Sequence, residues 1–102
     1  MEVVVIHPEI KKRIAELPKG VNARVLKLIE LLEIREYHLT MPFSKKIGKN
    51  LYELREMGEQ NIRIFYTFNL GRAVLLHLIS KKTQKLQKID LETARKRLQW
   101  LQ

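Results

Sequence analysis

Apolar residues along this chain alternate between two periods, near 3.6 and near two, and the switches divide it into elements. Met1 to Ile6 is a β-branched run closed by His7 and Pro8, which predicts a first strand. Pro8 suits the opening position of a helix, and Ile10, Ile14 and Leu17 then recur at helical spacing until Pro18-Lys19-Gly20 interrupts them. A second helix starts near Val21 or Asn22 and runs to about Arg35, with Val25, Leu28, Ile29 and Leu32 on one stripe. These two elements predict an αα-hairpin with a tight connection.

Tyr37 to Lys49 shows neither period and contains Pro42 and Gly48, so it reads as a loop. Three strand patterns follow, at about Leu51 to Glu56, Asn61 to Phe68 and Ala73 to Ser80, separated by turns at Gly58 and at Asn69-Leu70-Gly71-Arg72. Connections this short predict an antiparallel meander. The third strand is almost continuously apolar, as expected of a central strand covered on both faces. Asp90 is placed to cap a closing helix whose stripe is Leu91, Ala94, Leu98 and Leu101. The result is one α+β domain spanning residues 1–102, with enough apolar residues, 45%, for a single core.

Parity adds chemistry to this outline. In the second strand of the meander Ile62, Ile64, Tyr66 and Phe68 share the likelier core face, which turns Arg63 to the other side. In the preceding strand Leu51, Glu53 and Arg55 share one face and Tyr52, Leu54 and Glu56 the other, which leaves the direction of Arg55 open. Charge is distributed unevenly: residues 1–40 hold seven Lys/Arg against six Asp/Glu, and residues 41–102 thirteen against five. Such an excess points to a polyanion, most often nucleic acid, or to an acidic protein or membrane surface; its bland alternative is a solvated face that keeps a small protein soluble. There is no cysteine, and His7, His38 and His77 are dispersed, so neither disulfides nor a zinc motif is expected. Chemistry without metal or cofactor is the expectation. Uncharged runs such as Ala73 to Ser80 are too short to span a bilayer, and the amino terminus lacks a basic region followed by an apolar one, which predicts a cytoplasmic protein that makes no membrane contact.

The runs Asn50-Leu-Tyr-Glu-Leu-Arg55, Arg63-Ile-Phe-Tyr66 and Val74-Leu-Leu-His-Leu-Ile-Ser-Lys-Lys-Thr-Gln-Lys85, with Ala94 in a closing helix, together resemble the RelE/ParE toxin superfamily. The resemblance is greatest to its HigB-like, phage Gp49-like group of toxin–antitoxin systems. It covers most of the chain and is strongest from Leu51 to Lys85. It implies a RelE-like fold, in which an N-terminal strand and αα-hairpin pack on an antiparallel sheet of about four strands with a short C-terminal helix. It also implies a ribosome-dependent, metal-independent endoribonuclease that drives a ribose 2′-hydroxyl onto the adjacent phosphate of messenger RNA and is neutralised by a cognate antitoxin.

By the same resemblance Arg63, in the motif Arg-x-x-Tyr, stabilises charge on the phosphate. Lys82, with Lys81, follows the last strand and does likewise or acts as acid, while Arg55 anchors a neighbouring phosphate. Lys45, Lys46, Lys49, Lys85 and Lys88 are candidates for holding ribosomal RNA, or else for solubility alone. Two departures stand out: Leu91 occupies the place of a tyrosine in the best-known ribonucleases of the superfamily, and Leu51 and Glu53 the places of strand lysines. Glu53 is either a salt-bridged or merely solvated glutamate or a base, His77 a hydrogen-bonded core histidine or a base, and the first role carries more weight for each. Tyr66 is expected in the core, and Tyr52 and Trp100 are expected to pack or to stack on bases. Two other classes fit the charge: a ParE-like, non-enzymatic inhibitor of DNA gyrase, and a basic nucleic-acid-binding module.

Overall fold

His7 ends the first strand and caps the first helix, its Nδ1 accepting a hydrogen bond from the Glu9 amide at 3.1 Å while Pro8 takes the first helical position. In the computed structural model, which describes residues 1–81 and 88–102, the strand is β1 (Val3–Val5) and the helix α1 (Pro8–Ala15). Helix α2 (Lys19–Arg35) begins two residues ahead of the expected start, because the Asn22 amide bonds to the Pro18 carbonyl at 2.8 Å and draws Lys19 and Gly20 into the first turn. A single 3-10 turn (Glu36–His38) follows.

The stretch expected to be a loop contains a strand, β2 (Ser44–Gly48), and the meander comprises β3 (Leu51–Arg55), β4 (Ile62–Asn69) and β5 (Arg72–Ser80). Strand order is β1-β5-β4-β3-β2, with β1 parallel to β5 and the other pairs antiparallel. The sheet is therefore mixed and five-stranded, one strand more than expected, within the α+β, RelE-like architecture that was anticipated. Ser-Lys-Lys-Ile-Gly has no alternating pattern of its own. It extends because it pairs with β3, Ser44 opposite Leu54 and Lys45 opposite Glu53, and its lysines suit an edge strand that faces water. Between β4 and β5 a two-residue loop, Leu70-Gly71, carries φ angles of 52° and 76°, the left-handed pair that matches the twist of a hairpin.

Strand β5 lies between β1 and β4 and is buried over most of its length, as its apolar run predicted. On one face of the sheet α1 and α2 bring Ile10, Ile14, Val25 and Leu32 against Leu54, Ile64, Tyr66 and Leu75. On the other, α3 (Lys88–Gln99) brings Ala94 against Leu51, Phe65 and Leu76. Each fully buried Leu or Ile contributes roughly 1.5–3 kcal/mol. The buried Tyr66 hydroxyl sits 2.6 Å from Ser44 Oγ and so fastens the edge strand to the core, while burial raises the phenol pKa against the opposing effect of that bond. Asp90 does not cap α3. It lies within the first turn of a helix described from Lys88, and its carboxylate reaches across to β5.

Candidate functional site

Register resolves the direction of Arg55. Arg55 and Arg63 are opposite partners on β3 and β4, so both project from the face on which α3 packs. Along that face Arg63 stands opposite Ile79, Phe65 lies between Glu53 and His77, and Lys45 completes the row beyond Glu53. Like charges placed directly opposite repel each other, and Glu53 relieves the conflict. Its Oε1 is 2.7 Å from Arg63 Nε and 3.9 Å from Arg55 Nε, so one carboxylate serves two guanidiniums. Glu53 thus takes the salt-bridged role.

The two arginines differ in access. Arg63 is 3% exposed, and its Nη1 donates to the carbonyls of Glu56 and Ile62, both at 3.0 Å. Burial draws its pKa below the ordinary value and Arg55 adds to this, while Glu53 opposes them; a guanidinium so placed still carries its charge at neutral pH. Arg63 does point away from the larger core, as parity predicted, but into the structure rather than into water. Arg55 is more open, with a side chain 19% exposed. Its Nη1 donates to Met41 Sδ at 3.0 Å, and Arg63 Nη2 lies 3.5 Å from Met57 Sδ. Thioether sulfur is a weak acceptor. Among the described residues neither arginine Nε has an aligned acceptor, and the Nε–H of Arg63 is not aimed at the Glu53 oxygen beside it. Both Nε atoms are buried, so the capacity open to an oxyanion is that of the outer end of the partly exposed Arg55 guanidinium.

The connection behind the pair is built on Glu56, which is 2% exposed and accepts from Arg24 Nε at 2.8 Å, the Gly58 amide at 2.8 Å and the Ile62 amide at 3.1 Å. Burial pushes the Glu56 pKa up, but Arg24 and the two amides outweigh it and hold the carboxyl below its ordinary range. Sequence reasoning missed this arrangement. A carboxylate just ahead of a glycine turn is a local signal for it, whereas Arg24 comes from thirty-two residues away and leaves none.

His77 Nε2 lies 2.9 Å from Asp90 Oδ1, and its ring stacks on Phe65 with centroids 6.2 Å apart. It is the hydrogen-bonded histidine expected, joining β5 to α3. Lys81 follows β5 with its amide bonded to the Asn61 carbonyl at 3.0 Å, next to the start of β4. Lys82 and Lys85 lie outside the described residues. Lys45 and Lys46 are exposed on β2 rather than in a loop, and only Lys45 shares the arginine face; Lys49 is exposed in the β2–β3 turn. Lys88 is 91% exposed on α3, 4.0 Å from Glu92. Tyr52 stacks on Tyr66 at 5.4 Å, and Trp100 is 55% exposed.

Among the described residues no group of three or more His, Cys, Asp or Glu side chains is arranged to hold a metal ion, and no helix is long and apolar enough to cross a membrane. A comparison with curated proteins finds no match. The family described as Phage derived protein Gp49-like (DUF891) matches residues 12–99, which takes in both arginines, Glu53 and the whole of α3. The chain belongs to this Gp49-like family, a RelE-like family associated with the toxins of toxin–antitoxin systems.

Proposed function

We propose that the protein is a HigB-like, ribosome-dependent endoribonuclease that cleaves messenger RNA without a metal ion and is neutralised by an antitoxin. The observation that carries this reading is the arginine pair, two guanidiniums held opposite each other by one carboxylate, with Arg55 partly exposed. Attack of a 2′-hydroxyl on the adjacent phosphate builds negative charge on the phosphoryl oxygens, and fixed cations in a partly dry site stabilise it without reorganising. Arg55, the more accessible, is assigned direct contact with the phosphate. Arg63 supplies field from within and holds Glu53 in place. Lys81 and Lys82, next in the chain after β5, add a further cation and the acid that protonates the leaving 5′-oxygen. Lys45, Lys46, Lys49, Lys85 and Lys88 provide long-range attraction to ribosomal RNA.

The test is a translation extract charged with an end-labelled message. Cleavage that appears when protein and ribosomes are both present supports the reading. An intact message under the same conditions overturns it, and arrested supercoiling by gyrase in a parallel assay would assign the protein to the non-enzymatic class.

A further inference from the structure

Two of the three methionines, Met41 and Met57, set their sulfurs against the guanidiniums of the arginine pair. Met41 precedes β2 and Met57 follows β3, so the two thioethers reach the pair from separate segments. Arg55 Nη1 donates to Met41 Sδ at 3.0 Å, and Arg63 Nη2 to Met57 Sδ at 3.5 Å. Neither side chain fills the core: Met41 is 55% exposed and Met57 64%. Met1, by contrast, packs against the larger core with its side chain 4% exposed. Among the described residues the Met41 sulfur is the aligned acceptor of the Arg55 guanidinium, whose Nε has none and whose nearest Glu53 oxygen is 3.9 Å away.

From this geometry we infer that Met41 and Met57 form a reversible oxidation site, each taking one oxygen atom from a peroxide, and that the resulting sulfoxides close the arginine pair to phosphate. A sulfur lone pair attacks one peroxide oxygen and the O–O bond breaks. The proton of the transferred oxygen passes to the other, which leaves as water; the sulfur is oxidised by two electrons and the peroxide reduced by two. Exposure gives the peroxide access, and a thioether keeps a second lone pair outside its N–H contact. What the product does follows from acceptor strength. Thioether sulfur accepts weakly, whereas a sulfoxide oxygen is strongly dipolar and, beside a guanidinium, takes a charge-assisted hydrogen bond. The three rotatable bonds of methionine let that oxygen reach Nη without moving the backbone. At Arg55 it occupies the outer end that a phosphate would need. At Arg63, whose Nη1 already donates to the Glu56 carbonyl, it fastens the connection between β3 and β4 more firmly over the buried guanidinium. Methionine sulfoxide reductases reverse the change. The loss of cleavage that follows rests on the ribonuclease reading, whereas the oxidation and its hydrogen bonds do not.

The experiment uses the full chain, treated with hydrogen peroxide and then freed of it. Peptide mass mapping should show Met41 and Met57 each gaining one oxygen well before Met1. In nitrogen-15 spectra of the arginine side chains, the Nε–H signals of Arg55 and Arg63 should shift on oxidation and return after treatment with the two sulfoxide reductases, while that of Arg72 stays in place. In a ribosome-containing extract the oxidised protein should cleave message about tenfold more slowly than before treatment, the effect of one charge-assisted hydrogen bond that phosphate must displace. The reductases should restore the rate. The double variant Met41→Leu, Met57→Leu, with folding checked by thermal unfolding, should keep its own untreated rate after the same exposure. Met1 oxidised as fast as the other two, arginine signals unmoved in the oxidised protein, or an equal loss of cleavage in the double variant would overturn the inference. If the untreated parent cleaves no message, the ribonuclease reading falls, and the arginine signals alone decide this one.

Discussion

Arg63 and Glu53 are each buried, and each is tolerable only because of the other. Removing one partner of such a pair leaves an uncompensated charge inside the protein, at a cost of about 3–5 kcal/mol. Arg63→Ala should therefore lower the urea midpoint steeply, and any loss of toxicity in that variant would report unfolding before it reported chemistry. A midpoint within error of the parent would show that Glu53 does not depend on Arg63. Glu56 gives a second prediction at this scale. Its folded pKa is lowered, so its contribution to stability is complete above the ordinary carboxylate value of 4.5 and is lost as pH falls through the lower folded value. Urea unfolding of the parent between about pH 5 and pH 2 should show this acid limb, and Glu56→Gln should flatten it while reducing stability at neutral pH. What was legible about these residues was their parity. That Arg63 is buried depends on how the Glu56–Gly58 connection lies over it, which no local pattern records, and the direction of Arg55 became definite only through its register with Arg63.

Among the elements, those with a strong period were legible and the one without was not. Helix α2 buries Val21, Val25, Leu28 and Leu32 at helical spacing, and β4 and β5 are apolar runs buried nearly throughout, so each announces itself locally. Strand β2 has no such stripe and exists because β3 offers it a ladder and Tyr66 offers Ser44 a hydrogen bond. The β4–β5 turn was read correctly at Asn69-Leu70-Gly71-Arg72, but it places a leucine, 85% exposed, at a φ of 52°. Left-handed backbone costs a branched L-residue about 1–2 kcal/mol, and Asn relieves part of that. Leu70→Asn should accordingly stabilise the protein by about 0.5–1 kcal/mol, read as a rise in thermal midpoint; a fall would show that Leu70 makes a contact worth more than its strain.

For the molecule as a whole, a formal charge of +9 and a sheet with helices on both faces supply what the proposed ribosome-dependent activity requires: attraction to RNA from a distance, and a frame that holds Arg55, Arg63 and Glu53 together. Binding to ribosomes should weaken steeply as salt is raised, with a slope that Lys45→Gln, Lys46→Gln and Lys49→Gln together reduce by about two to three units of log K per log salt, measured by co-sedimentation. An unchanged slope would assign those lysines to solubility alone. The central claim is that the open member of the arginine pair contacts the scissile phosphate, and Arg55→Ala tests it most directly because that side chain can be removed without stranding a fully buried partner. In a ribosome-containing extract, with folding verified by thermal unfolding, message cleavage should fall by about 100- to 1000-fold relative to the parent. Cleavage by folded Arg55→Ala at the parental rate would contradict the account.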